Sequence, residues 1–373
     1  MASATDLKQP LTDHVNSNQR VLVYCNAIVN TVISPPTPNA QANWYHPFMQ
    51  NLATAQTHAT SYITTLGPTF WSTIPNLVIT YGQSYQNGLT YVQQTCKTAE
   101  GASRDLTTAE LQNIKAVFQQ LDSQLTALMG AEGDSVLNAA AAPTLKGVSS
   151  DLAAFTTNLI SDNKNLTTGQ NSAASEVGLL NSDETTMQGN ITNLNTEIQA
   201  YDKIIMESEI GIGVSIFITV IGIALAPVSG GASLVVTGVG VAGIAGSIAG
   251  TVVYSGKVQA DQDKIAQDQS EIDTDKQQVN ALNGIISTMS TLSGHNADAQ
   301  NAVESMLDTF GGLQKETQTT INDLTGVDSS AALGIIQELN IQAALDAWDN
   351  AVTLAQNILG MNTQLAVLTP PTT

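Results

Sequence analysis

Basic residues are scarce in this chain. Its 373 residues include 12 Lys and Arg against 32 Asp and Glu, which gives a formal net charge of −20. Binding to nucleic acid needs a basic surface that neutralises phosphates, and charge-driven binding to anionic lipid needs a polybasic cluster. We therefore expect no nucleic acid partner, and any contact with a membrane must come from the burial of apolar surface.

Cysteine is nearly absent as well. Cys25 and Cys96 are the only two, too few and too far apart for a disulfide framework. We expect two small buried side chains, with a single bridge as the alternative. The first residues, Met-Ala-Ser-Ala-Thr-Asp-Leu-Lys, lack the basic and apolar regions of a conventional secretory signal. An exported chain would therefore use another route.

Motifs for catalysis are missing too. His14, His46, His58 and His295 are scattered without metal-ligand spacing, and each is expected to be structural or solvated. The chain has no P-loop, no nucleophile elbow and no HExxH motif. Residues 238–243 fit the GxGxxG pattern, but they lie in an uncharged, glycine-dense stretch without a surrounding βαβ unit. We expect no enzymatic activity, no metal site and no cofactor.

The longest uncharged stretch of strongly apolar sequence lies in the middle of the chain. Residues 210–256 contain no Asp, Glu, Lys or Arg and form two apolar halves, Ile210–Val228 and Ala232–Tyr254, separated by Ser229–Gly231. As a helix rising ~1.5 Å per residue, each half of about 20 residues would match the ~30 Å hydrocarbon core of a bilayer. This pattern predicts a hydrophobic head that is covered in the soluble form and inserted later. Whether it is a β-tongue or a helical hairpin stays open.

The head contains the candidate site residues. Those expected to insert into the membrane are its large apolar side chains and the proline near its tip: Ile212, Val214, Ile216, Phe217, Ile218, Val220, Ile221, Ile223, Leu225, Pro227, Val228, Leu234, Val235, Val236, Val239, Val241, Ile244, Ile248, Val252 and Val253. Three glycines near its borders are hinge candidates: Gly211, Gly213 and Gly256.

Heptad repeats stop at both edges of the head. One runs through Leu180, Met187, Leu194 and Tyr201, and another through Val258, Ile265, Ile272, Val279 and Ile286, with Leu282 and Met289 beside it. Apolar residues seven apart are typical of helices that pack along a seam. Because a hairpin returns the chain alongside itself, we expect two antiparallel arms, the first over Ser172–Glu209.

The rest of the chain predicts further helices. Asn43–Thr95 is expected to be one long helix, kinked near Pro68 and Pro75. Thr107–Glu110 is a capping box that begins another helix, and the apolar stripe of that helix is expected to pack on other helices: Leu111, Ile114, Phe118, Leu121, Leu125 and Leu128. Other expected boundaries are a turn at Asn163–Gly169, breaks at Gly294 and Gly311-Gly312, and a turn at Thr325–Asp328 that precedes a single last helix. The predicted fold is mainly α: an elongated antiparallel bundle of five or six long helices. Residues 1–209 and 257–373 would form its helical tail bundle and residues 210–256 its head.

The two heptad arms around an apolar hairpin resemble the cytolysin A superfamily of α-pore-forming toxins. The apolar head is most similar to a membrane-inserting component of a tripartite toxin of the haemolysin BL or non-haemolytic enterotoxin type. The resemblance implies a secreted, soluble monomer that inserts its head into the lipid bilayer of a target cell. It also implies a homo-oligomeric helical pore, with other toxin components as partners.

Two alternatives share parts of this pattern. A hydrophobic translocator of a protein-secretion apparatus also joins coiled coils to an apolar hairpin, but it needs a dedicated chaperone to remain soluble. A membrane-anchored coiled-coil scaffold would depend on detergent from the start. Solubility of the isolated chain discriminates between these classes and the toxin.

Overall fold

The computed structural model describes residues 7–29, 43–137, 142–177, 227–228, 232–233 and 274–365. These residues are almost entirely helical, as predicted. The helices are α1 Lys8–Val29, α2 Tyr45–Ser61, a π-helical segment Tyr62–Leu66, α3 Gly67–Gly101, α4 Thr108–Met129, α5 Leu145–Val177, α6 Thr274–Asp323, α7 Ser329–Gln337 and α8 Ile341–Leu365. Seven of the described α-helices have 17 residues or more, and because α2, the π-helical segment and α3 follow one another without a break, they correspond to six long helical stretches, within the expected five or six.

The kink predicted within Asn43–Thr95 corresponds to a change of helix type. α2 passes into the π-helical segment and then into α3, whose second residue is Pro68. Proline has no backbone N–H, and its ring displaces the carbonyl group four residues earlier, here that of Thr64. The wider π turn accommodates this carbonyl. Pro75 lies inside α3 without ending it.

The capping box at the start of α4 is present. The Thr107 hydroxyl accepts a bond from the backbone N–H of Glu110, and the Glu110 carboxylate accepts one from the backbone N–H of Thr107, at 2.7 Å. Arg104 donates two further bonds of 2.8 Å to that carboxylate. The apolar stripe of α4 is buried as predicted: Leu111, Ile114, Phe118, Leu121, Leu125 and Leu128.

Two expected interruptions are wrong. Residues 163–169 do not form a turn but continue α5, where Leu166 is fully buried and the Thr167 hydroxyl bonds back to the carbonyl of Asn163. α6 likewise passes through Gly294 and Gly311-Gly312 without a break. Buried neighbours such as Phe310 and Leu313 hold these turns in place, and this packing outweighs the low helix propensity of glycine.

The C-terminal region contains one helix boundary more than expected. The turn at Thr325–Asp328 is confirmed: Gly326 has φ +82°, and Asp328 caps α7 by accepting a bond from the N–H of Ala331. The sequence predicts a single last helix after this turn, but Asn340 has φ +45° and separates α7 from α8. Asparagine tolerates this left-handed conformation better than most residues.

The described residues fall into two compact units. Unit 1 contains the described parts of Met1–Val15, Pro68–Ala153 and Asp298–Val367. Within it, α3 packs antiparallel to α8, since Gly82 lies against Trp348 and Gln93 bonds to Gln342. An aromatic cluster forms its centre: Tyr81, Tyr85, Phe310 and Trp348, with ring centroids 5.3–6.2 Å apart.

Unit 2 contains the described parts of Asn16–Gly67 and Ala154–Ala297. Here α2 runs antiparallel to α5, because His58 contacts Asp162 while Phe48 contacts Gly169. Leu282 and Met289 of the predicted second arm are buried on α6. Ile286 is only half-buried, and its neighbour Ile285 occupies the core instead.

Candidate functional site

Most of the predicted site lies outside the described residues. Of the residues expected to insert into a membrane, only Pro227 and Val228 are described, and the three hinge glycines are not. Pro227–Val228 and Ala232–Ser233 form two short strands, β1 and β2. They pair antiparallel, with Pro227 opposite Ser233 and Val228 opposite Ala232. The chain therefore reverses direction between Val228 and Ala232, the position at which the sequence divides the head into halves.

None of the helices in the described part of the chain combines the length and the apolar character that a membrane span requires. Their apolar residues form stripes, as in α4, and face the cores of the two units.

Polar contacts join α1 to the π-helical segment in unit 2. The Tyr62 hydroxyl donates to Oδ1 of Asn18 at 2.5 Å, and Nδ2 of Asn18 lies 3.4 Å from the Gly67 carbonyl. Gln56 of α2 donates to the carbonyls of Ile28 and Val29, which end α1. These side chains hold α1 against the point at which α2 changes into α3. A change in the packing of α1 would have to break them.

A buried carboxylate links α2 to α5. Nδ1 of His58 lies 2.7 Å from Oδ2 of Asp162, whose side chain is 2 % exposed while that of His58 is 29 % exposed. Burial raises the pKa of Asp162, and the hydrogen bond from His58 opposes this shift. Sequence analysis missed this pair, because the two residues are 104 positions apart and neither belongs to a recognisable motif. The arrangement provides a hydrogen-bonded clamp between two helices.

The cysteines and histidines singled out in the sequence differ in their exposure. Cys25 and Cys96 are free and buried. This confirms the prediction of two small core side chains and excludes the alternative of a disulfide bridge between them. His46 is exposed, whereas His14 is almost completely buried. Within the described residues, no three His, Cys, Asp or Glu side chains are grouped so that they could hold a metal ion.

Comparison with known proteins gives matches in structure but none in sequence. No protein-family model and no curated protein matches this chain. The soluble AhlB protein of the tripartite alpha-pore-forming toxin AHL from Aeromonas hydrophila has 19% identity and a TM-score of 0.62, over 96% of this chain and 93% of AhlB. The HblL1 toxin component of Bacillus cereus has 14% identity and a TM-score of 0.66, over 95% of this chain and 96% of HblL1.

A third neighbour extends the same group. Soluble SmhB of the tripartite alpha-pore-forming toxin Smh from Serratia marcescens has 16% identity and a TM-score of 0.60, over 98% of this chain and all of SmhB. This chain has the fold of a tripartite alpha-pore-forming toxin component. The toxin-component fold extends over nearly the whole length of all three neighbours, so the resemblance predicted from the sequence is confirmed at the level of the fold.

Proposed function

We propose that this chain is a component of a pore-forming toxin, secreted as a soluble protein and able to insert its head, residues 210–256, into the membrane of a target cell. The observation that carries the proposal is the full-length structural match to toxin components, because it includes the helices on both sides of the head. Oligomerisation in the membrane, together with partner toxin components, belongs to the same proposal.

The apolar composition of the head supports its assignment as the membrane-inserting segment. Each half is uncharged and long enough to cross the hydrocarbon core as a helix. Burial of apolar surface contributes about 25 cal/mol per Å², so insertion does not require the basic residues that this chain lacks. An uncharged hairpin also avoids the high cost of placing a charged side chain near the centre of a bilayer.

The packing of α5 and α6 supports a hairpin geometry for the segment between them. In unit 2 these helices are antiparallel neighbours: Asn296 of α6 donates to the Thr156 hydroxyl of α5 at 2.8 Å, and further along the pair Ser290 of α6 and Lys164 of α5 line one cavity. The end of α5 at Val177 and the start of α6 at Thr274 therefore lie at the same end of the pair. The chain therefore leaves α5 and enters α6 at the same end of this helix pair, as the proposed arms and head require.

Release of a trapped dye from liposomes, combined with co-sedimentation, tests the proposed function. Phosphatidylcholine vesicles are suitable, because a protein of net charge −20 is repelled by anionic lipid. Binding with leakage would show that this chain forms pores alone, and binding without leakage would identify an anchoring component that needs partners. If the soluble chain neither binds the vesicles nor releases their dye, the result would contradict the proposal that the head inserts into a bilayer made of lipid alone.

Matched variants assign the activity to the head. We expect Ile221→Asp and Val235→Asp to abolish membrane binding, because each places a carboxylate within an apolar half of the head. Ile160→Asp is the control, since Ile160 is a 60 % exposed apolar residue on α5, and we expect it to bind like the wild type. Unimpaired binding by both head variants would refute the assignment.

A further inference from the structure

One histidine of the helical body is buried without a well-aligned hydrogen-bond partner. His14 lies on α1 with 1 % of its surface exposed, and only backbone groups of Phe70 and Ala299, in poor hydrogen-bond geometry, approach its imidazole nitrogens. Buried polar groups are nearly always hydrogen-bonded, because an unpaired one retains the full cost of its lost hydration. Stability alone therefore does not account for an imidazole at this position.

The imidazole lies on the apolar face by which α1 packs into unit 1. Leu7, Leu11 and Val15 are buried on the same face. Backbone groups of Phe70, on α3, and of Ala299, on α6, lie beside the ring. Protonation of the ring would therefore place a cation between two helices, in surroundings built for apolar side chains.

The titratable side chains on the three elements around His14 do not offset such a cation. On α1, Lys8 and Asp13 are exposed, and Asp13 accepts a bond from Gln9. On α6, Asp298 is exposed and His295 is half-buried. On α3, no residue from Gly67 to Cys96 carries a formal charge. Burial outweighs the nearby backbone groups, which favour protonation, and lowers the pKa of His14 to about 4.

We propose that His14 is an acid-sensitive latch, and that its protonation releases the first turns of α1, residues 7–15, from unit 1. Only this short part of α1 belongs to unit 1. The remainder is held in unit 2 by the contacts of Asn18 and by the bonds from Gln56. Release therefore exposes Leu7, Leu11 and Val15 as an apolar surface without unfolding the rest of the helix.

The direction of the pH effect follows from proton linkage. The released state has the ordinary histidine pKa of 6.5, and the docked state has a pKa of about 4. The docked state is therefore fully favoured above pH 6.5 and loses this advantage as the pH falls towards 4. Between pH 7.5 and pH 5 the docking equilibrium should weaken roughly 30-fold.

Hydrogen exchange of the intact chain tests the latch. Exchange of the amides of residues 11–13, which lie beyond the unbonded first turn and do not flank the substituted side chain, is compared between the wild type and His14→Leu at pH 7.5, and again at pH 5. Within each pair the pH is the same, so the intrinsic exchange rates cancel. The ratio of wild-type to variant exchange should rise roughly 30-fold from pH 7.5 to pH 5, while residues 21–29 of the same helix show no such rise.

Two further variants make the test decisive. His14→Gln is neutral at both pH values and replaces His14→Leu if that variant does not fold. His46→Gln, at an exposed histidine, should behave as the wild type. An exchange ratio that is equal at pH 7.5 and pH 5 would overturn the latch. The measurement uses no membrane, so its result is independent of whether the chain forms pores.

Discussion

Glycine has opposite consequences at two positions of unit 1. A Cβ atom added to Gly82 on α3 would lie 2.5 Å from Cγ2 of Val352 and 2.9 Å from Cε3 of Trp348, both on α8. Trp348 is completely buried in the aromatic cluster and has little freedom to move. The Cβ position of Gly311 on α6 meets no atom within 4 Å. Close helix packing therefore requires the first glycine but not the second.

We predict that Gly82→Ala lowers the free energy of unfolding by about 1–3 kcal/mol, because overpacking forces buried side chains to shift. Gly311→Ala, the matched control, should raise it by about 0.5–1 kcal/mol, since alanine loses less conformational entropy in a helix. Equilibrium unfolding in urea measures both. A stabilised Gly82→Ala variant would contradict the close approach of α3 and α8.

The clamp between His58 and Asp162 gives a second prediction at the scale of residues. His58→Leu should destabilise the chain by about 1–3 kcal/mol at pH 7, because it leaves a buried carboxylate without its partner. The double variant His58→Leu with Asp162→Leu should recover most of this loss, since two apolar side chains replace both polar ones. Urea unfolding of His58→Leu, Asp162→Leu and the double variant completes a double-mutant cycle. Additive losses would show that the two side chains are not coupled.

At the scale of helices, the sequence was most informative where the signal is local. Thr107 and Glu110 are three residues apart, so their capping box and the apolar stripe after it could be predicted without knowing the fold. Gly294 and Gly311-Gly312 were misjudged as breaks, because the neighbours that keep α6 continuous are buried by tertiary packing. The partner of His58 was unpredictable for the same reason: only the fold brings α5 to α2.

The start of α4 provides a prediction on pH. The bonds from Arg104, helped by the backbone N–H of Thr107, lower the pKa of Glu110 to about 2. The stabilisation from the carboxylate is therefore complete above the ordinary pKa near 4.5, and it is lost as the pH falls towards 2. In Glu110→Gln the cap is kept and the charge is removed. Its melting temperature should therefore fall less steeply than that of the wild type between pH 4.5 and 2.5, and parallel curves would refute the role of the charge.

At the scale of the whole molecule, each unit contains one buried free thiol. Cys25 on α1 belongs to unit 2 and is fully buried, and Cys96 on α3 belongs to unit 1 with 5 % exposure. Burial raises the pKa of both thiols, that of Cys96 to about 11. Because the thiolate is the reactive form, neither should react with a thiol reagent at pH 8 until denaturant exposes it. The variants Cys25→Ser and Cys96→Ser then allow the two units to be followed separately.

The same two thiols show which unit repacks when the chain binds a membrane. Unit 2 contains Val177 and Thr274, the ends of α5 and α6 that lead towards the head, so insertion of the head should disturb this unit first. On phosphatidylcholine liposomes at pH 8, we expect Cys25 in the Cys96→Ser variant to become reactive while Cys96 in the Cys25→Ser variant stays protected. Faster labelling of Cys96 would place the first change in unit 1. Protection of both thiols in the bound protein would mean that the head inserts without repacking around either cysteine.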